Sequence, residues 1–332
     1  MSAKVRHVGV TVPVFAVCVG FLPTAKAFVK VDVSRDAVVQ QKVSPVASRA
    51  PSLLPAGREW QLAWHDEFDG HAIDRSKWMC RTHFWGKRFK AFADDFRGVE
   101  LDGDGHVRLN LLRIGDDFVS PHLQTGSIAY DIPSQDPKSI WPFGPCPKPL
   151  FLHRFGYYEI RCRLPKNDGW HCAFWLQSPC LGAHPDPRRA GMEIDIMENY
   201  RQFTENSIVC GPGWRDFRQE MNWPGHFQFE IEKTEDGWHH YGVHWTPGFY
   251  DFYADGKFVG RRTGPISHVE QILLVSTEAH GYRETGGVAG GLEDVCEWGG
   301  RPDKLLFNVR LPDYFEVDYV RVFDEVPLPQ VE

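Results

Sequence analysis

Hydrophobic residues in this chain recur at every second position over short runs, and no long stretch carries the period of an amphipathic helix. Tyr158, Ile160, Cys162 and Leu164 alternate with Tyr157, Glu159, Arg161 and Arg163. Tyr241, Val243 and Trp245 alternate with His240, Gly242 and His244. Alternation of this kind puts apolar side chains on one face of a strand and polar ones on the other. Further strands are expected over 107–112, 272–276 and 315–323. Asp255-Gly256, between runs at 250–254 and 257–260, is a strong two-residue hairpin signal. Many short strands joined by tight turns predict an all-β sandwich of two sheets.

One stretch breaks the alternation. In Glu193-Ile194-Asp195-Ile196-Met197-Glu198, strict alternation puts Glu193 and Asp195 on one face but sends Glu198 to the apolar side. Burying an unpaired charge there is costly. A β-bulge at Ile196-Met197 removes the conflict, because one extra residue resets the parity and returns Glu198 to the other acids. Three carboxylates on one strand face suit retaining glycoside hydrolysis, which needs a carboxylate nucleophile and a carboxylic acid about 5–5.5 Å apart. Glu193 and Glu198 are about 13 Å apart along the backbone at ~3.3 Å per step, so their side chains must lean together. Asp195 lies between them, placed to share a hydrogen bond or a proton. Taken alone, the six residues fit a solvated acidic face equally well, and a cation site is a third reading.

Composition narrows the class. Lys4, Arg6 and His7 precede an apolar run from Val8 to Leu22, and Ala25-Lys26-Ala27 forms a small-x-small cleavage site. Residues 1–27 therefore read as a secretory signal peptide, too short in its apolar part for a membrane span. Its removal takes three cations and no acid from a chain whose formal net charge is already −7. That acidity argues against nucleic acid or an anionic membrane as a partner. Residues 28–56, rich in Val, Ser, Ala and Pro, read as a linker or weakly ordered lead-in. Residues 57–332 suffice for one large domain, expected to act as a monomer. Twelve Trp, ten Tyr and twenty-three Phe, with thirty-one Gly and twenty-four Pro, agree with strands and tight turns.

Several segments together resemble glycoside hydrolase family 16, in the group whose catalytic strand has the bulged E-x-D-x-x-E form. They are Trp64-His65-Asp66-Glu67-Phe68-Asp69-Gly70, Thr125-Gly126-Ser127-Ile128, Phe155 to Arg161, Gly169-Trp170-His171-Cys172-Ala173-Phe174-Trp175-Leu176, and Val317 to Val322. The likeness covers about residues 60–324, in the family's order. It implies a β-jelly-roll sandwich of two curved antiparallel sheets, concanavalin A-like, with a glycan groove on the concave face. It implies Glu193 as nucleophile, Asp195 as assisting acid and Glu198 as general acid/base. The reaction implied is hydrolysis of internal bonds in a β-linked polysaccharide by double displacement. No organic cofactor is required. Some members hold one structural calcium on the convex side, where Asp318 matches a ligand position; a plain surface acid fits that position as well. Where many members have a His-rich strand, this chain reads Asn206 to Cys210 and Gly213-Trp214-Arg215, a departure at positions that line the subsites.

The run around Trp170 leans towards β-1,3-glucan of the laminarin type. A marine galactan such as agar, porphyran or carrageenan is the next substrate class. Transglycosylation fits the same three acids, and a non-catalytic, lectin-like role in glycan binding fits the same sandwich. Sugar rings present apolar C–H faces that aromatic side chains can cover. Trp170 is the first platform candidate, with Trp175 either platform or core. Trp141, Trp214 and Trp298 lie in expected loops, and Arg188, with Arg189, reads either as a solvated turn or as a partner for an anionic substituent. His171 and His244 are read as structural or substrate-binding. No catalytic-zinc spacing occurs. Of the eight cysteines Cys18 falls in the leader, which leaves an odd number; Cys162 and Cys172 flank an expected hairpin, as a bridge or as buried thiols.

Overall fold

Alternation becomes two packed sheets in the computed structural model, which describes residues 28–33, 39–80, 95–127, 147–200, 206–215, 221–281 and 302–327. The strands are β1 (Phe28–Lys30), β2 (Gln40–Val43), β3 (Ser52–Pro55), β4 (Glu59–Asp66), β5 (Val99–Leu101), β6 (Val107–Asn110), β7 (Leu112–Ile114), β8 (Asp117–Val119), β9 (His122–Gln124) and β10 (Gly156–Arg163). They continue as β11 (Trp170–Gln177), β12 (Glu193–Asn199), β13 (Ser207–Arg215), β14 (Met221–Asn222), β15 (His226–Glu230), β16 (His239–Trp245), β17 (Tyr250–Ala254), β18 (Lys257–Arg262), β19 (Ile272–Ala279) and β20 (Tyr314–Val326). One short helix, α1 (Pro187–Ala190), precedes β12. No helix among the described residues is long and apolar enough to cross a membrane.

The acid-bearing sheet runs β1-β15-β13-β12-β11-β19-β9, with β14 attached to β13. The second sheet runs β18-β17-β16-β10-β20-β6-β5, and β4 also pairs with β20. Between them lies one apolar core to which Tyr158, Ile160 and Cys162 of β10 contribute, with Tyr241, Val243 and Trp245 of β16. These are the alternating sets read from the sequence. Phe174, Leu176, Ile194 and Met197 meet them from the other sheet. Asp255 and Gly256 both take positive φ, 47° and 84°, as the expected two-residue hairpin between β17 and β18 requires.

The described residues within 28–56 differ from the weakly ordered lead-in expected of them. β1 pairs in parallel with β15, from Phe28 opposite His226 to Lys30 opposite Gln228. The β2–β3 hairpin packs on the outer face of the second sheet, where Leu54 is buried with Tyr157, Tyr253 and Phe323. Its backbone is satisfied by side chains from below: Leu53 N donates to Glu159 Oε1 at 2.7 Å, and Arg321 Nη1 donates to Ala50 O at 2.9 Å. Such docking needs no hydrophobic period within the segment, so the sequence pattern is silent about it.

Candidate active site

Across an antiparallel pair, residues directly opposite each other share a face. Along β11 and β12, Gln177 opposes Glu193, Trp175 opposes Asp195, Phe174 opposes Met197 and Ala173 opposes Glu198. Ile196 is thus the extra residue, and the bulge lies at the position the charge conflict demanded. The β12–β13 register agrees: Glu193 opposes Gly213, Asp195 opposes Gly211, and Glu198 opposes Val209. Ile194, Ile196 and Met197 all join the core. Glu193, Asp195 and Glu198 therefore share the outer face of the sheet.

Each acid is held by a neighbour. Gln177 Nε2 donates to Glu193 Oε2 at 2.6 Å. Asp195 Oδ2 lies 3.1 Å from Nε2 of His226, a fully buried imidazole on β15. Tyr200 OH donates to Glu198 Oε1 at 2.6 Å. The Tyr200 ring stacks on His171, 5.1 Å between centroids, and His171 stacks in turn on His280 at 5.5 Å. Asp195, Glu198 and His226 each bring a ligand-type atom to within 4.8 Å of the others. The three carboxylates are thus fixed in orientation and converge on one surface.

Two glycines keep that surface open. A Cβ on Gly213 would stand 2.3 Å from the Trp223 ring, and one on Gly211 would stand 3.0 Å from the His226 ring. Only residues without a side chain let Trp223 and His226 lie against the acid strand. Trp223 meets His226 edge to face, 4.9 Å between centroids. On the other side of β12, Trp175 is half-buried and donates from Nε1 to Ser276 Oγ at 2.9 Å. Gln124 Oε1 and Gln177 Oε1, both buried, take no hydrogen bond from the described residues. The acid row therefore has the Trp175 indole on one side and the Trp223 indole on the other, with the buried Gln177 amide beside Glu193.

The binding residues expected from the sequence need correction. Trp170 shares its facing with Cys172, Phe174 and Leu176; it is fully buried, and its Nε1 donates to Asp313 Oδ2 at 3.1 Å. It is a structural residue at the strand's start, not a platform, and Trp175, opposite Asp195, occupies the open face. Trp214 packs against the core, because its parity on β13 is opposite to that of Gly211 and Gly213. Arg188 is exposed on α1, where its backbone N–H caps onto Asp186 Oδ1, away from the hydrogen bonds that hold the acids. Trp141 and Trp298 lie outside the described residues. His244 is structural, 3.0 Å from Glu325 Oε2. Cys162 and Cys172 are buried thiols rather than a bridge. Asp318 does not fit a calcium ligand as it stands: its carboxylate accepts from Arg161 Nη1 at 2.6 Å and faces Arg49 Nη2 at 3.7 Å.

His226, Tyr200, Trp223 and Gln177 escaped the sequence reading. Gln177 and Tyr200 had a usable signal, since each falls on the acid face once the bulge is placed. His226 and Trp223 did not, because their approach depends on which strand follows β13 in the sheet.

Comparison with known proteins gives a consistent answer. The sequence model for glycosyl hydrolases family 16 matches residues 144–269. The glucan endo-1,3-beta-glucosidase A1 of Niallia circulans is 24% identical over 298 residues, which cover 82% of this chain and 39% of that protein. The chain thus spans about two-fifths of that relative's length. The glucan endo-1,3-beta-glucosidase of Cryptopygus antarcticus is 27% identical over 216 residues, 60% of this chain and 67% of that one. In fold, the catalytic domain of an endo-1,3-beta-glucanase (laminarinase) from Thermotoga petrophila RKU-1 superposes with a TM-score of 0.56 at 17% identity, covering 81% of this chain and all of that one.

Proposed function

Since the chain belongs to glycoside hydrolase family 16, we propose that it is an endo-acting β-glucanase that cleaves internal β-1,3 bonds of a laminarin-type glucan with retention. The observation that carries this reading is the bulged strand, which turns Glu193, Asp195 and Glu198 to one face between Trp175 and Trp223. In the first step a Glu193 oxygen attacks the anomeric carbon. The bond from that carbon to the leaving sugar's oxygen breaks as Glu198 gives that oxygen its proton. In the second step water attacks the same carbon, Glu198 takes the water's proton and the ester to Glu193 breaks. Asp195, held by His226, assists between the two. Gln177 and Tyr200 fix which oxygen of each glutamate faces the substrate.

The β-1,3 preference rests on the names of the relatives in Niallia and Cryptopygus and on the aromatic-flanked row of acids. A polymer too large to enter a cell calls for an exported enzyme, and the leader expected at residues 1–27 supplies that export. The test is to incubate the purified chain with laminarin, mixed-linkage β-glucan, agarose, porphyran and carrageenan, and to measure reducing ends and product sizes. Oligosaccharides from laminarin are expected; release confined to a galactan would transfer the assignment to that polymer. Trp175→Ala is expected to raise KM on laminarin several-fold with a smaller change in kcat. A flat platform binds ground and transition states alike, so its loss falls mainly on binding. An unchanged KM would remove Trp175 from the groove.

A further inference from the structure

Asp318 sits at a second bulge. Tyr319 opposes Arg161 and Val317 opposes Cys162, so Asp318 is the extra residue of β20. A bulged residue can be re-aimed, and Asp318 Oδ1 faces Arg49, a residue of the N-terminal segment, with 3.7 Å to Nη2. The same Nη2 donates to the main-chain carbonyl of Glu67 and to that of Gly105, the latter at 2.7 Å. Arg49 Nη1 lies 3.7 Å from Asp69 Oδ1. Glu67 Oε2 also lies 3.5 Å from Arg49 Nε, so two carbonyls and three carboxylates from three separate segments surround one guanidinium, whose side chain is 15% exposed. Gly105 has φ +88°, and a Cβ there would stand 2.1 Å from Arg49 Nη1. The turn is shaped to let the cation in.

An all-oxygen set that mixes carbonyls with carboxylates is what a hard divalent cation takes, calcium with six to eight such ligands. Here a guanidinium nitrogen stands where the oxygens converge. We propose that Arg49 is a tethered replacement for a structural calcium, built into the chain by the segment that crosses the second sheet. Its charge ties the start of the domain at Glu67 and Asp69 to the turn at Gly105 and to the last strand at Asp318. A guanidinium stays protonated at any working pH and cannot be chelated, so the fold holds without metal. The tie is independent of how the acids on the opposite sheet react.

The test is thermal melting of the full chain in EDTA, in CaCl2 and in MgCl2, for wild type, Arg49→Ala and Arg49→Lys, with calorimetric titration of calcium into each. Wild type is expected to melt at one temperature in all three solutions and to show no calcium binding. Arg49→Ala empties the place where the oxygens converge, leaving only Arg161 on Asp318 Oδ2 and Arg321 on the Glu67 carboxylate. It is expected to melt several degrees lower in EDTA, to bind one calcium, and to regain most of the loss in CaCl2 but not in MgCl2. Magnesium demands a tighter octahedron and gives up its water reluctantly. Arg49→Lys keeps a cation at the site and is expected to stay near wild type and indifferent to calcium. Two results would overturn the proposal: a wild-type chain that binds calcium and melts lower in EDTA, or an Arg49→Ala chain whose melting calcium does not move. Should Arg49→Ala fail to fold, the wild-type and Arg49→Lys arms still decide.

Discussion

Glu193→Gln and Glu198→Gln are each expected to lower kcat on laminarin by about a hundredfold to ten-thousandfold, with melting temperatures close to wild type. Glutamine keeps the shape of the side chain and its hydrogen bonds to Gln177 or Tyr200, so packing changes little. What is lost is chemistry. An amide at 193 has no anionic oxygen to attack the anomeric carbon, and an amide at 198 has no proton to give the leaving oxygen. Asp195→Asn is expected to cost less, because in the proposed reaction Asp195 forms no bond to the sugar, and its neighbour His226 can still hydrogen-bond an amide. Initial rates from reducing ends, with melting curves on the same samples, decide the matter. Either glutamine variant turning over at the wild-type rate would remove that residue from the reaction.

The largest expected effect on stability lies far from the acids. Arg321 is fully buried and meets Glu67 through two hydrogen bonds, Nε to Oε1 at 2.8 Å and Nη2 to Oε2 at 2.6 Å. Its Nη1 also donates to Ala50 O and Ser52 Oγ, each at 2.9 Å, so the pair fastens the N-terminal segment to the sheet. Glu67→Ala strands a buried guanidinium and is expected to cost about 3–5 kcal/mol in urea unfolding. Removing both partners, as in Glu67→Leu with Arg321→Met, should cost less than either single change. A double variant as unstable as the sum of the singles would show that the pair's charges are not coupled. The pH dependence has a definite sign. Burial alone would raise the Glu67 carboxyl, but the hydrogen bonds and charge of Arg321, with His65 adding, hold it below its ordinary value. The unfolded chain therefore takes the proton first. This part of the stability is complete above about pH 4.3 and drains away as the pH falls below it.

The site was legible wherever it depended on parity along a single strand. Glu198 could not sit on the apolar face, so a bulge had to lie between Asp195 and Glu198, and Ile196 is that residue. The two tryptophans of β11 went the other way by the same rule. Trp170 stands an even number of positions from Phe174 and Leu176 and belongs with the core; Trp175 does not. Reading the run as a motif hid that distinction, and only the pairing with Asp195 exposed it. What parity cannot reach is the approach of one segment to another. His226 reaches Asp195, and Trp223 packs beside His226, because Gly211 and Gly213 leave room, and no local pattern signals that. Residues 39–56 look unstructured for a related reason: side chains of Glu159, Arg321 and Tyr319, distant in sequence, satisfy their backbone.

The central claim is that Glu193 attacks the sugar directly while Glu198 handles the proton. Proton NMR on the first products released from laminarin tests it. A double displacement inverts the anomeric carbon twice, so the fresh reducing end should appear as the β-anomer and relax to the α/β mixture only by mutarotation. An initial α-anomer would mean that water attacks the glycosidic carbon in a single step, and would exclude Glu193 as the nucleophile.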